Sequence, residues 1–120
     1  MHIDYLDHVA LWVGDRDRIA DFLRQDSGGA DEPIYVYTHE PAIYFRSGMN
    51  PASKYVAYYQ VAPDEKRKLE AADELARARP LYIIAEEARN ESFQQLDRML
   101  SERYELVLVE GTIQVYKRSD

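Results

Sequence analysis

The residues best suited to chemistry in this sequence are three histidines and a short acidic triplet, and their spacing assembles no reaction centre. His2, His8 and His39 lie in separate segments, so the spacing does not predict convergence on a metal ion. The Asp-Arg-Asp triplet at 15–17 is the type of acidic pair that can hold a metal, but an aspartate ahead of an apolar helical stretch is better explained as a helix cap. We therefore predict no catalytic residues, no metal site and no cofactor.

Motifs for nucleotides and nucleophiles are missing from the sequence. No strand leads into Gly-x-Gly-x-x-Gly or into a phosphate loop, and Gly28-Gly29 precedes the first predicted strand rather than following it. Ser47 precedes Gly48 in a predicted turn and does not stand in Gly-x-Ser-x-Gly. The chain has no cysteine, which excludes disulfides, thiolate ligands and cysteine nucleophiles.

Charge and hydropathy exclude further classes of protein. The 120 residues carry a formal net charge of -7, and the basic side chains are scattered among acids, so nucleic acid is not expected as a partner. No apolar run approaches the roughly 20 residues of a membrane-spanning helix. The N-terminus also lacks a basic region followed by an apolar one, so the chain as written predicts no export signal.

Strands and helices are predicted to alternate along the chain. The predicted elements are a helix around Ile19–Leu23, a strand at 34–38, a short helix opened by Pro41, a strand at 54–61, a helix from Pro63 to about Ala78, a strand at 81–85, a helix at 91–103 and a hairpin of strands at 104–109 and 112–117. This order predicts an α/β fold, a small three-layer Rossmann-like domain. Its sheet would be mainly parallel, with a C-terminal antiparallel hairpin. Residues 17–120 would form this domain, and residues 1–16 an amphipathic or juxtamembrane segment.

Ligands of such sheets bind beyond the carboxyl ends of the strands. Here that edge would hold Thr38, His39 and Glu40 after the first strand, and residues 86–89 after the central one. The structural alternative for His39 and Glu40 is a turn whose side chains cap or bridge local backbone. The alternative for Glu86 and Glu87 is a solvated loop ahead of a helix. Tyrosines at 35, 37, 55, 58 and 59 could add a binding surface, or they could pack in the core.

One stretch carries a resemblance to a known family. Residues 34–55 contain a strand that leads to Glu-Pro, then Ile-Tyr-Phe, Ser-Gly and Pro-Ala-Ser-Lys-Tyr. This pattern resembles the soluble C-terminal domain of multi-pass membrane glycosyltransferases of the protein mannosyltransferase and aminoarabinose-transferase type. The resemblance covers roughly residues 17–117. Lys54 stands where that family more usually has arginine, and Met49-Asn50 replace a pair that is often basic.

The resemblance implies a non-catalytic, extracytoplasmic accessory domain. Its parent enzyme would take sugar from a polyprenyl-phosphate carrier, and missing transmembrane segments would attach it to the membrane. The domain would bind acceptor, carrier headgroup or a protein partner. The implied binding residues are His39, Glu40, Tyr44, Arg46, Lys54 and Tyr55. An exposed Trp12-Val13 patch would favour a homodimer of the soluble fragment.

Two alternatives stay open. The chain could be a stand-alone cytoplasmic α/β module that binds a ligand or a partner. It could also be a small metal enzyme, because Leu6–Val13 resembles the first strand of glyoxalase-type enzymes, with His8 as the ligand. That interpretation conflicts with the helical spacing of Ile3, Leu6 and Val9.

Overall fold

The computed structural model describes residues 15–29, 31–38, 42–55, 58–86 and 93–119. The predictions for His8 and for Trp12-Val13 concern residues outside these ranges. The elements are α1 (Asp15–Ser27), β1 (Ile34–Tyr37), α2 (Ala42–Ser47), α3 (Tyr58–Val61), α4 (Glu65–Ala78), β2 (Tyr82–Glu86), α5 (Gln94–Arg103), β3 (Tyr104–Glu110) and β4 (Ile113–Arg118). None of the described helices is both long enough and apolar enough to cross a membrane.

The sheet is mixed, so the prediction of a mainly parallel sheet is wrong. Its strand order is β1-β2-β4-β3. Only β1 and β2 are parallel neighbours, whereas β2–β4 and β3–β4 are antiparallel. The predicted C-terminal hairpin forms, but its second strand inserts beside β2. The hairpin therefore supplies two of the four strands, and β4 lies inside the sheet and not at its edge.

The prediction of a strand at 54–61 is wrong where the structure describes these residues, because 54–55 belong to no strand and 58–61 are helical. This removes a parallel strand from the expected sheet. Residues 50–52 run briefly along the outer edge of β1, where the Ile34 N–H donates to the Asn50 carbonyl and the Ala52 N–H donates to the Ile34 carbonyl, both at 2.8 Å. Pro51 has no N–H to extend such a ladder. The chain then turns onto α4, and residues 58–61 form the short helix α3.

Helices cover both faces of the sheet because the strand residues alternate between them. Ile34 and Val36 join Ile19 and Leu23 of α1 in the first core cluster. The opposite face forms the second core cluster, which gathers aromatic side chains of β1 and the buried stripes of α4 and α5. It contains Tyr35, Tyr37, Ala71, Leu75, Ile83, Phe93, Leu96, Leu100 and Tyr104. β2 is central and its first four residues are buried, as predicted.

Helix α4 begins where the sequence predicts. Its helical spacing also predicts a buried stripe of Leu69, Ala72, Leu75 and Ala76, of which the structure fully buries Leu75 alone. Asp64 caps the helix by accepting the N–H groups of Lys66 and Arg67 at 3.0 and 3.2 Å. The buried residues are Lys68, Ala71 and Leu75, whereas Leu69 is 55% exposed. Alanine and leucine occur on several faces of this helix, so its composition alone left the orientation undecided.

A polar cluster joins the end of α1 to the centre of the sheet. The Asp26 carboxylate accepts from Lys117 Nζ at 2.8 Å and from the hydroxyl of the buried Tyr82. The Lys117 hydrogen bond, followed by that of Tyr82, lowers the pKa of Asp26 below its usual range. This cluster therefore stabilises the fold more strongly when Asp26 is ionised than when it is neutral.

Replacing Asp26 by asparagine is expected to lower the free energy of unfolding at pH 7 by about 1 kcal/mol. A carboxyl whose pKa is depressed in the folded state contributes stability above its unfolded pKa of about 3.9, and that contribution is lost as the pH falls through the folded pKa. The difference between the two proteins should therefore be full above about pH 5 and should shrink below pH 4.

Urea denaturation at pH 7, 5 and 3 measures this difference, with Asp73→Asn as the control. Asp73 pairs with Arg77 on the solvent side of α4, with 68% of its side chain exposed, so its loss should be close to neutral. A difference for Asp26→Asn that stayed constant from pH 7 to pH 3 would show that the charge of Asp26 is not what stabilises the cluster.

Candidate functional site

Of the six residues implied by the glycosyltransferase resemblance, the structure describes Tyr44, Arg46, Lys54 and Tyr55. His39 and Glu40 lie outside the described residues. Tyr44 is only 8% exposed and belongs to the first core cluster, where its hydroxyl accepts the Val36 N–H at 2.8 Å. Burial raises the pKa of this hydroxyl to about 12. Tyr44 is thus placed to support β1, and Arg46 is exposed at the end of α2.

Lys54 and Tyr55 are held against α4. Lys54 Nζ pairs with Glu70 Oε2 at 3.0 Å, and its backbone N–H donates to Glu74 Oε1 at 3.2 Å. Ser53 donates to the same Glu74 oxygen at 2.7 Å. The Tyr55 ring lies 5.2 Å from Lys54 Nζ and packs against the second core cluster. Lys54 already has a carboxylate partner, so these contacts explain how the loop is attached to the helix.

Glu86, which was singled out at the end of the central strand, lines a cleft of about 240 Å³ with Asp97, Gln114 and Tyr116. The described lining contains two acidic side chains and no lysine, arginine or histidine, so this surface is acidic. Glu87 and Arg89 lie outside the described residues.

A larger cleft opens at the C-terminal end of α5. Its volume is about 430 Å³, which is within the range of small-molecule sites in proteins. Its lining combines basic and apolar side chains from four elements and their ends. These residues are Leu75, Arg79, Met99, Glu102, Arg103, Tyr104, Arg118 and Ser119. In a chain of net charge -7, three arginines around one concave surface set this cleft apart from its surroundings.

The backbone around the cleft holds its arginines in place. Arg118 Nη1 donates to the Arg79 carbonyl at 2.6 Å and lies 3.4 Å from Glu32 Oε1. The Ser119 N–H donates to the Arg103 carbonyl at 2.9 Å. These contacts bring the ends of α4, α5 and β4 together, so the three arginines share one site although they are far apart in sequence.

Arg79 occupies a backbone position that favours glycine. It follows α4 with φ 48° and ψ 63°, and its N–H donates to the Leu75 carbonyl. A side chain in this left-handed conformation costs roughly 1–2 kcal/mol. Strained residues of this kind concentrate at functional sites, although many helices also end this way. The strain therefore supports the cleft as a site without establishing it.

Tyr104 contributes a ring to the cleft rather than a free hydroxyl. Its hydroxyl donates to the Pro80 carbonyl at 2.5 Å, and the residue is 9% exposed. Burial raises the pKa of Tyr104 to about 12, although the positive charges of Arg118, Arg79 and Arg103 oppose that shift. The Tyr104 ring, Leu75 and Met99 form the apolar wall of the cleft lining.

Sequence reasoning missed this cleft because it treated the basic residues as scattered. Each arginine stands at or just beyond the end of an element, at positions 79, 103 and 118. A basic residue there is also the usual complement to a helix C-terminus, so the pattern alone does not point to a ligand. Among the described residues, no group of three or more histidine, cysteine, aspartate or glutamate side chains could hold a metal ion.

The fold and the cleft define a small α/β domain with a mixed four-stranded sheet and an arginine-lined surface cleft. Residues 13–119 match the family described as "Putative competence-induced protein Ccs4 C-terminal domain". The chain belongs to this family. No curated protein and no solved structure gives a significant match.

Proposed function

We propose that this chain is a ligand-binding domain that holds a small anionic ligand in the arginine cleft, without chemistry of its own. The observation that carries the proposal is the convergence of Arg79, Arg103 and Arg118 on one cleft of about 430 Å³. Guanidinium groups present planar, paired donors that suit carboxylate and phosphate oxygens. A concave site with apolar walls and a few polar groups is the usual form of a small-molecule site.

The family description adds a setting for this function. A C-terminal domain of a competence-induced protein would act as the part that recognises a ligand for a larger protein. The family description mentions no transferase, so the role as an accessory domain of a membrane glycosyltransferase stays a prediction from the resemblance alone, as does its extracytoplasmic location. A polyprenyl-phosphate headgroup is itself an anion, so that role would use the same cleft chemistry.

Arg103→Gln is the variant that tests the proposal. Arg103 is exposed at the end of α5, so its removal should leave the fold intact while removing one charged donor from the cleft. Affinity for anions should fall by about tenfold, since a charge-assisted hydrogen bond contributes roughly 1.5–3 kcal/mol before solvent screening. Amide chemical shifts during titration with acetate, hexanoate and inorganic phosphate measure both the affinity and the location of binding.

Arg98→Gln is the matched control, because Arg98 is also exposed on α5 but does not line the cleft. It should bind these anions like the unmodified chain. The proposal is wrong if none of the three anions shifts the amides that line the cleft. It is equally wrong if the two glutamine variants lose affinity to the same extent, since binding would then reflect general surface charge.

A further inference from the structure

We infer that the ligand of the arginine cleft is a monocarboxylate with a hydrocarbon or aromatic body, rather than a phosphate. This inference rests on the proposed function and names its ligand class. Three properties of the cleft carry it: its charge balance, its apolar wall and its size.

The charge balance of the cleft favours a ligand of low negative charge. Three arginines and Glu102 line the cleft, and Arg118 also lies 3.4 Å from Glu32 Oε1. Helices α4 and α5 both end here, and each helix C-terminus carries roughly half a negative charge. The positive charge is therefore almost balanced before a ligand arrives. A phosphate monoester of about -1.5 to -2 would leave more uncompensated negative charge than a carboxylate, which carries a single charge.

The apolar wall supplies the rest of the binding. Met99 is partly buried and Tyr104 is 9% exposed, whereas Leu75, which also belongs to the lining, has no exposed surface of its own. The Tyr104 hydroxyl donates to the Pro80 carbonyl, so the ring offers apolar surface. Each methylene that leaves water completely strengthens binding roughly fourfold. A ligand with a hydrocarbon body therefore gains binding at this wall that an inorganic ion does not gain.

The size of the cleft agrees with an extended ligand. A volume of about 430 Å³ is in the range that holds small organic molecules. Inorganic phosphate or sulfate would contact the arginines and leave the apolar wall covered by water. A carboxylate head at Arg103 with its body along Met99 and Tyr104 would cover both parts of the cleft at once.

A comparison of acetate, hexanoate and hexyl phosphate by isothermal titration calorimetry and amide chemical shifts tests this inference. Hexanoate should bind at least about tenfold tighter than acetate, because part of its added chain leaves water. It should also bind tighter than hexyl phosphate, which has the same chain and a more highly charged head. Shifts caused by hexanoate should include the amides of Met99 and Tyr104.

Glu102→Gln gives the second arm of the test. Removing this carboxylate should strengthen the binding of hexyl phosphate more than that of hexanoate, because the dianion is repelled more strongly. The inference is overturned if hexyl phosphate binds the unmodified chain more tightly than hexanoate, or if hexanoate is no better than acetate. In those cases anion binding that depends on Arg103 would still uphold the proposed function. Loss of all anion binding would instead remove the proposed function itself.

Discussion

Replacing Tyr44 by alanine is expected to lower the free energy of unfolding by about 3–5 kcal/mol, as for other buried aromatic residues. Tyr44 is 8% exposed in the first core cluster and links α2 to β1 through the Val36 N–H. Tyr44→Phe keeps the ring but leaves that N–H without its acceptor, and should cost about 1–2 kcal/mol. Urea denaturation followed by circular dichroism measures both changes.

The two Tyr44 variants also separate a supporting role from a binding role. The resemblance to glycosyltransferases implied that Tyr44 contacts a ligand, whereas its burial predicts that it only holds β1. Tyr44→Phe should therefore bind hexanoate like the unmodified chain while being less stable. A phenylalanine variant of unchanged stability that had lost ligand binding would contradict the role in β1 and would return Tyr44 to the candidate binding residues.

Replacing Arg79 by glycine is expected to change stability and binding in opposite directions. Glycine removes left-handed strain of roughly 1–2 kcal/mol, and costs roughly 0.5–1 kcal/mol of additional backbone entropy. The net gain in the free energy of unfolding should be about 0.5–1 kcal/mol. The Arg79 carbonyl that accepts from Arg118 is retained, because it belongs to the backbone. Loss of the guanidinium should weaken hexanoate binding by about tenfold.

Arg79→Asn is the matched control for this experiment. Asparagine tolerates the left-handed region better than most side chains and carries no charge, so it should lose binding like glycine with a smaller gain in stability. Thermal unfolding and calorimetric titration measure the two quantities on the same samples. A glycine variant that was more stable and bound hexanoate without loss would show that Arg79 serves only the end of α4.

A stable, ligand-deficient Arg79→Gly would explain why arginine stands at a position that favours glycine. The Arg79 N–H and carbonyl belong to the backbone, so their contacts are kept whatever side chain stands at this position. Strain retained at a ligand site is a recognised exchange of stability for function. Each of the three arginines that line the cleft would then stand at its position for a different structural reason.

Local features of this protein could be predicted from its sequence. Asp64 caps α4 and Pro80 follows its end, because a carboxylate satisfies free N–H groups and proline cannot continue a helix. The apolar run at 81–85 becomes the central strand β2, and the turn around Gly111 joins an antiparallel hairpin. Each of these depends on neighbouring residues and hardly at all on distant ones.

Tertiary structure decided the strand order, the orientation of α4 and the site. The insertion of β4 beside β2 depends on pairing across about thirty residues, which no local pattern specifies. Ile43, Tyr44 and Ser47 differ in polarity, yet all three are buried because α2 packs against α1 and β1. Arg79, Arg103 and Arg118 converge only because three elements end at the same place. Local patterns therefore predicted most helices and strands, with the strand at 54–61 as the exception, because the hydrogen bonding of an element depends mainly on neighbouring residues. Long-range packing determined which side chains meet, because a cleft is made by residues that are distant in sequence.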